Sequence, residues 1–159
     1  MSLSSKLLGE LRANAGQTNR SLSASEGQRV ARCDALQCEA LAVTIEELEV
    51  QTPELGGATA FQLQAASCNL ASRINYLLEP IAPIETDAAG CSVQMRSNPP
   101  QKDDNAYRYY ELLIRRGGSV ALCRYEKQPG QTRTRVPAAL THEVVGRLIE
   151  DFSQTIDTI

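Results

Sequence analysis

The sequence predicts an α+β fold, in which an antiparallel β-meander of about four to five strands carries helices packed on one face. Residues 107–136 contain two alternating runs joined by Gly117-Gly118, and a third run follows Pro129-Gly130. A Gly-Gly pair between alternating runs is typical of a hairpin turn, because glycine adopts positive φ without steric cost. Residues 60–78 and 141–156 place apolar residues at helical spacing, which predicts two helices to cover the sheet.

A two-residue turn at Gly117-Gly118 fixes the pairing of the hairpin. Leu113 then lies opposite Leu122, and Glu111 lies opposite Arg124. A slip by one residue would move every side chain to the other face. In this register one face collects the core side chains of the two strands, which are Tyr110, Leu112, Ile114, Ala121, Cys123 and Tyr125.

The N-terminal region is predicted to be a helix followed by a linker. Residues 3–15 carry leucines on one side of a short amphipathic helix, and residues 16–25 are rich in Gly, Ser, Thr and Asn. A helix this short needs to dock on another element, and its linker allows it to move. The 159 residues otherwise suit a single α+β domain spanning 1–159.

The next two segments differ in how clearly they define a structure. Residues 26–40 use helix-forming residues, and Ser25 with Gln28 has capping-box spacing, which predicts a helix. Residues 41–51 fit either a helix or a strand with a bulge near Glu46-Glu47. The β-branched run Val43-Thr44-Ile45 favours the strand.

The remaining elements have local start and stop signals. Thr59 and Gln62 form a capping box for the helix 60–78, which Pro80 ends. Residues 81–86 and 91–97 predict a hairpin, in which Pro83 requires an edge strand or a bulge because proline cannot donate to a ladder. Thr141 is a suitable N-cap for the last helix.

Composition and charge narrow the class of protein. Apolar residues make up 42% of the chain, no run is long enough to span a bilayer, and no secretory signal pattern is present, so a cytoplasmic protein is expected. Residues 1–90 hold six Lys/Arg against eleven Asp/Glu, whereas residues 91–137 hold nine against four. Intramolecular charge complementarity explains this asymmetry. A sequence pI near 5.2 argues against a nucleic-acid partner.

Residues with catalytic or metal-binding chemistry are few. The five cysteines form no CxxC pair and predict small buried side chains, and His142, the only histidine, stands at a predicted helix start. The run Glu46-Glu47-Leu48-Glu49 fits a charged strand edge better than a metal site. No cofactor, metal site or catalytic residue is therefore predicted, and whether the protein is an enzyme is left open with a leaning against it.

Two hypotheses for the function remain. The first is a non-catalytic protein-binding or adaptor domain, which acts through a homodimer or partner interface on the outer face of the meander. Apolar side chains rimmed by charge are typical of interaction sites. The second is an enzyme or small-ligand protein with a pocket between helix 60–78 and the sheet, using Tyr110, Tyr125, Arg73 and Asn69. The predicted interface residues are Leu113, Leu122, Val120, Arg115 and Arg124, and Arg133, Arg135, Tyr107 and Tyr109 are expected near them.

Overall fold

A computed structural model describes residues 1–159 and joins ten strands in one sheet with three α-helices. The predicted α+β class with an antiparallel sheet is confirmed, but the strand count exceeds the predicted four to five. In chain order the elements are α1 (Leu3–Ala13), β1 (Thr18–Glu26), β2 (Arg29–Cys38), β3 (Ala42–Gln51), a 3-10 helix (Pro53–Gly57), α2 (Ala60–Arg73), β4 (Ile81–Asp87), β5 (Ser92–Ser97), β6 (Gln101–Asp103), β7 (Ala106–Arg115), β8 (Ser119–Lys127), β9 (Thr134–Val136), β10 (Ala138–Thr141) and α3 (His142–Asp157).

All strand pairs are antiparallel, and the main path through the sheet is β1-β2-β3-β8-β7-β5-β4. Strands β10, β6 and β9 pair with β3, β7 and β8 respectively. Strand β4 lies at one end of this path, as Pro83 predicted. Pro83 pairs with Met95 and Glu85 with Gln94, so Ile84 is an extra residue and the strand is also bulged.

The N-terminal half differs from the prediction. Residues 18–26 and 29–38 are paired strands, not part of a linker and a helix. Gly27, with φ of 60°, helps to form a two-residue turn between Glu26 and Arg29. Strand β2 buries small side chains, and Arg29, Arg32, Leu36 and Gln37 are good helix formers, so local propensity gave the wrong element. Pairing with β3 overrides this propensity. The buried residues of β2 are Ala31, Cys33, Ala35 and Cys38.

The ambiguous segment is strand β3. Asp34 pairs with Glu47 and Ala35 pairs with Ile45, which leaves Glu46 without a partner in the ladder. The predicted bulge is therefore confirmed at Glu46. An extra residue at this point shifts the alternation by one and explains why Ile45 and Leu48 both face the core.

The helices begin where their capping residues predicted. The Thr59 side chain and Gln62 form a complete capping box, and the Thr141 hydroxyl accepts from the amide of Val144 at 3.2 Å. Helix α2 ends at Arg73, five residues before the predicted end, because Ile74 is extended and Leu78 has φ of 65°. None of the three helices has the combination of length and apolar composition needed to cross a bilayer.

One apolar cluster runs through the molecule from Leu3 to Ile156 and lies on one face of the sheet. Each helix contributes an apolar stripe to it, including the leucines of α1, so the predicted packing of helices on one face is observed. At 25 cal/mol per Å², each fully buried leucine contributes roughly 2–3 kcal/mol. The helical residues of the cluster are Leu3, Leu7, Leu11, Leu63, Leu70, Val145, Leu148, Ile149, Phe152 and Ile156.

The register of the β7–β8 hairpin differs by one residue from the prediction. Arg115 pairs with Ser119, so the turn contains three residues, 116–118. Gly118 has φ of 114°, and a Cβ there would lie 2.9 Å from the Thr52 carbonyl oxygen. Both facts require glycine at the last turn position. They explain the longer turn, since three-residue hairpin loops place glycine there.

This slip moves three predicted interface residues to the other face of β8. Leu122 now pairs with Leu112 and Val120 with Ile114, and both are 0% exposed in the core cluster. Arg124 moves with them. The predicted opposition of Leu113 and Leu122 on the outer face is therefore wrong, and Leu122 and Val120 are core residues.

Candidate functional site: the outer face of the sheet

The outer face is the side of the sheet opposite the helices. On β7 and β8 it pairs Leu113 with Ala121, Glu111 with Cys123 and Tyr109 with Tyr125. None of these side chains belongs to the core cluster. Of the five predicted interface residues, only Leu113 and Arg115 lie here, because they alternate with the core residues of β7.

Tyrosine and arginine side chains cover one half of this face. Tyr109 and Tyr125 stack with ring centroids 6.0 Å apart. The Arg133 guanidinium lies 3.9 Å from the Tyr125 centroid, and Arg96 lies 5.5 Å from that of Tyr109. Arg135 also lies over Tyr125, at 5.8 Å. We call these five residues the Tyr–Arg cluster; its aromatic faces and guanidinium planes attract each other.

A buried carboxylate anchors the Tyr–Arg cluster. Glu111 is only 6% exposed, although no helix covers it, and Arg133 donates a hydrogen bond to its carboxylate. Arg133 also lies 3.4 Å from the Tyr109 hydroxyl, which it can donate to. A buried charge is tolerated only when it is paired, so this contact holds the segment before β9 against the sheet.

Acidic side chains surround a single arginine on the other half of the face. The Arg32 Nη2 atom on β2 lies 3.7 Å from Asp34, 3.2 Å from Glu47 and 2.8 Å from Glu49. Glu47 also lies 3.7 Å from Arg135, which joins this acidic network to the Tyr–Arg cluster. The outer face therefore has an acidic half and a basic half.

Glu49 is the most buried carboxylate of the acidic network, at 3% exposure. Burial raises the pKa of Glu49, and the neighbouring Arg32 opposes that rise. The amide of Gln51 donates to the Glu49 carboxylate at 2.7 Å. These two contacts partly compensate the burial of the Glu49 carboxylate.

Two cavities lie at opposite ends of β7. A cavity of about 800 Å³ beside the β7–β8 turn includes Arg115, Ser119 and Glu49 in its lining. A second cavity, of about 540 Å³, is lined by Arg96, Tyr107, Tyr109, Lys127, Thr132 and Arg133. The first is of mixed charge, whereas the second is lined by three cations.

Arg124, the fifth predicted interface residue, lies on the side of the sheet that faces the helices and connects separate parts of the chain there. It forms an ion pair with Glu79 at 3.0 Å, donates to Gln101 at 2.8 Å and lies 4.4 Å from the Tyr110 ring centroid. Burial raises the pKa of the Tyr110 hydroxyl, and the neighbouring Arg124 opposes that rise. These contacts connect β8 to the chain after α2 and to β6.

The side chains proposed to line a pocket between α2 and the sheet do not lie together. The Arg73 guanidinium donates to Asn69 on the same helix at 2.8 Å. Tyr110 lies on the core side of β7, and Tyr125 lies on the outer face. The four side chains that the enzyme hypothesis required therefore do not converge on one site.

The cysteines and the histidine are mostly buried. All five cysteines are free; four are buried, as predicted for small apolar side chains, whereas Cys68 on α2 is exposed. Burial raises the pKa of Cys33 to about 12, so its thiolate is scarce near neutral pH. His142 is the first residue of α3, as predicted, and is buried. No three His, Cys, Asp or Glu side chains are grouped to hold a metal ion.

Sequence reasoning placed Tyr109, Arg133 and Arg135 near the outer face, but it assigned Tyr125 to the core face, which is wrong. It also missed two further features of the outer face. Arg96 and Lys127 were not associated with the site, because they lie on β5 and at the end of β8 and come together only in the folded sheet. The acidic network was missed because residues 26–40 were assigned to a helix. Alternation of Arg32 and Asp34 with Ala31, Cys33 and Ala35 was the available signal.

Comparison of the chain with protein-family models, with curated proteins and with solved structures finds no significant match. The functional inference therefore depends on the residues of the outer face and on their geometry.

Proposed function

We propose that this chain is a non-catalytic protein-binding domain and that its docking surface is the outer face of the sheet. The observation that supports the proposal is the Tyr–Arg cluster on a sheet face that carries no helix. Tyrosine and arginine are the residue types most enriched, with tryptophan, among those that dominate binding energy at protein interfaces.

The geometry of the cluster suits binding because its side chains are already ordered. Arg133 is held by Glu111 and by the Tyr125 ring, and Tyr125 is held by Tyr109. A partner that docks on ordered side chains loses less conformational entropy than one that must order them. Leu113, half-buried beside the cluster, adds apolar area at the centre of the face.

Other exposed apolar residues support docking less well. Phe61 on α2 is 80% exposed, and Leu41 and Leu78 are also exposed, but these two lie in separate loops away from Phe61 in the chain. Single exposed apolar residues are normal on protein surfaces. The outer face instead combines aromatic, aliphatic and charged groups on adjacent strands.

Selection of a phage-displayed random peptide library on the purified protein tests the proposal. We expect enriched peptides whose affinity falls about fivefold or more for Tyr125→Ala, since interface hot-spot residues contribute about 1 kcal/mol or more. Phe61→Ala, which removes an exposed aromatic ring from α2, is the matched control and should bind like wild type.

Circular dichroism and urea unfolding of both variants keep binding separate from folding. Self-association is measured in parallel by sedimentation velocity. A wild-type dimer that Leu113→Asp converts to a folded monomer would identify the partner as a second copy of this chain. If no peptide is enriched, the wild type is monomeric and no variant changes either result, the outer face is not a docking surface.

A further inference from the structure

We propose that the cavity lined by Arg96, Lys127 and Arg133 is an anchor for carboxylate side chains of an acidic segment in the partner protein. This inference rests on the proposed function and adds the chemistry of the partner. The cavity, of about 540 Å³, lies where β7 and β8 pair Tyr107 with Lys127, at the end of the hairpin away from its turn. Its lining contains no carboxylate, so we call it the cationic cavity.

Two of the three cations are uncompensated by acidic side chains. Arg96 forms no ion pair and contacts the Tyr109 ring, with 5.5 Å to the centroid. The Lys127 ammonium donates only to main-chain oxygens, those of Gln128 at 3.1 Å and of Gln131. Arg133 is different, because Glu111 already neutralises it. The cavity therefore presents about two net positive charges to an incoming group.

The wall of the cavity favours an acidic side chain with an aliphatic stem. Tyr107, 41% exposed, and the buried Tyr109 form an aromatic surface beside the cations, and Pro100 completes it. Aromatic walls reduce the water around a bound carboxylate, which strengthens its attraction to Arg96 and Lys127. A guanidinium fork also matches the two oxygens of a carboxylate.

The rest of the outer face argues for a short acidic segment rather than a long polyanion. Asp34, Glu47 and Glu49 lie on the opposite half of the same face and are balanced by Arg32 and Arg135. A nucleic-acid strand crossing the face would meet these carboxylates and be repelled. A short acidic segment that binds only at the cationic cavity avoids this repulsion.

A labelled peptide pair tests the inference directly. The probe is fluorescein-labelled Glu-Glu-Tyr-Glu-Glu, and its control is the same peptide with glutamine in place of each glutamate. Fluorescence anisotropy should show tighter binding of the glutamate peptide and weakening by added salt. Arg96→Gln and Lys127→Gln should each weaken binding about two- to fivefold, as expected for exposed ion pairs.

Arg116→Gln is the matched control variant, because Arg116 is exposed in the β7–β8 turn, outside the cationic cavity. It removes the same charge from the protein and should leave the affinity unchanged. Equal binding of the glutamine peptide, or equal losses for Arg116→Gln and Arg96→Gln, would overturn the inference. Displacement by millimolar inorganic phosphate as effective as that by acetate would also overturn it, because the site would then bind anions in general.

Failure of the carboxylate anchor can be distinguished from failure of the proposed docking surface. Library peptides that lose affinity for Tyr125→Ala but carry no acidic residues would support docking on the outer face and overturn the carboxylate anchor. Acidic library peptides that lose affinity for both Tyr125→Ala and Arg96→Gln would support both proposals.

Discussion

Two neighbouring residues on β8 lie on opposite faces of the sheet and are both buried, but by different means. Leu122 is 0% exposed and Cys123 is 7% exposed. Leu122 belongs to the aliphatic cluster beneath the helices, whereas Cys123 lies among tyrosines, arginines and the Glu111 carboxylate. Burial alone therefore does not distinguish an aliphatic core from a layer of long side chains, because arginine stems also exclude water.

Truncation of a leucine on each face should give the largest difference. Leu122→Ala should lower the free energy of unfolding by about 2–5 kcal/mol, because it leaves a cavity in a packed core. Leu113→Ala should lower it by roughly 1 kcal/mol or less, because Leu113 is only half-buried and has no helix above it. Urea unfolding of both variants provides the measurement. Equal losses would mean that the outer face is packed like the core.

Replacing Arg133 tests how much its ion pair with Glu111 stabilises the outer face. Arg133→Ala should lower the free energy of unfolding by about 1–3 kcal/mol, because the buried Glu111 carboxylate loses its partner. Glu111→Gln, added to that variant, should recover part of the loss by removing the unpaired charge. Arg116→Ala, at an exposed turn position, should have no effect in the same urea titrations. A double variant less stable than Arg133→Ala would contradict this account of the pair.

Glu49 is expected to make a smaller, pH-dependent contribution to the free energy of unfolding. Its pKa is raised in the folded protein by burial, so the folded state holds this proton more tightly than the unfolded state. The stability of wild type relative to Glu49→Gln should therefore increase as the pH falls from neutral through the raised pKa towards the unfolded value of about 4.3. Urea unfolding at a series of pH values gives this difference.

Glu54→Gln is the control for this prediction because it should show the opposite trend. The Arg29 guanidinium lowers the pKa of the Glu54 carboxyl. The stabilising contribution of the Glu54 carboxylate is present above its pKa in the unfolded chain. It is lost as the pH falls through its lower pKa in the folded protein. The same slope for the two variants would rule out a specific effect of Glu49 burial.

Replacing Cys68 should have the smallest effect on stability, and its thiol should differ from the other four in reactivity. Cys68 is the one exposed cysteine, so a single thiol of the native protein should react promptly with a disulfide reagent, and the variant Cys68→Ser should remove that phase without loss of stability. Cys33 on the core face and Cys123 on the outer face should react slowly, because burial raises the pKa of both thiols. Prompt reaction of two or more thiols would indicate that one face opens readily.

The sequence predicted helices α2 and α3 better than it predicted the strands β1 and β2. Capping residues and apolar stripes correctly predicted α2 and α3, because these signals act within a few residues along the chain. The hairpin of β1 and β2 was missed because the buried side chains of β2 are alanine and cysteine, which carry little periodic contrast. Their burial follows from pairing with β3, a contact between distant segments.

The candidate site was only partly predictable for a related reason. The sequence by itself determined the hairpin, the face of Leu113 on β7 and the bulge at Glu46, since these depend on local alternation and turn residues. Only the tertiary structure decided the faces of the β8 residues, which are Val120, Leu122, Arg124 and Tyr125. Gly118 must fit against the Thr52 carbonyl in a three-residue turn, and one added turn residue reverses the faces of the following strand.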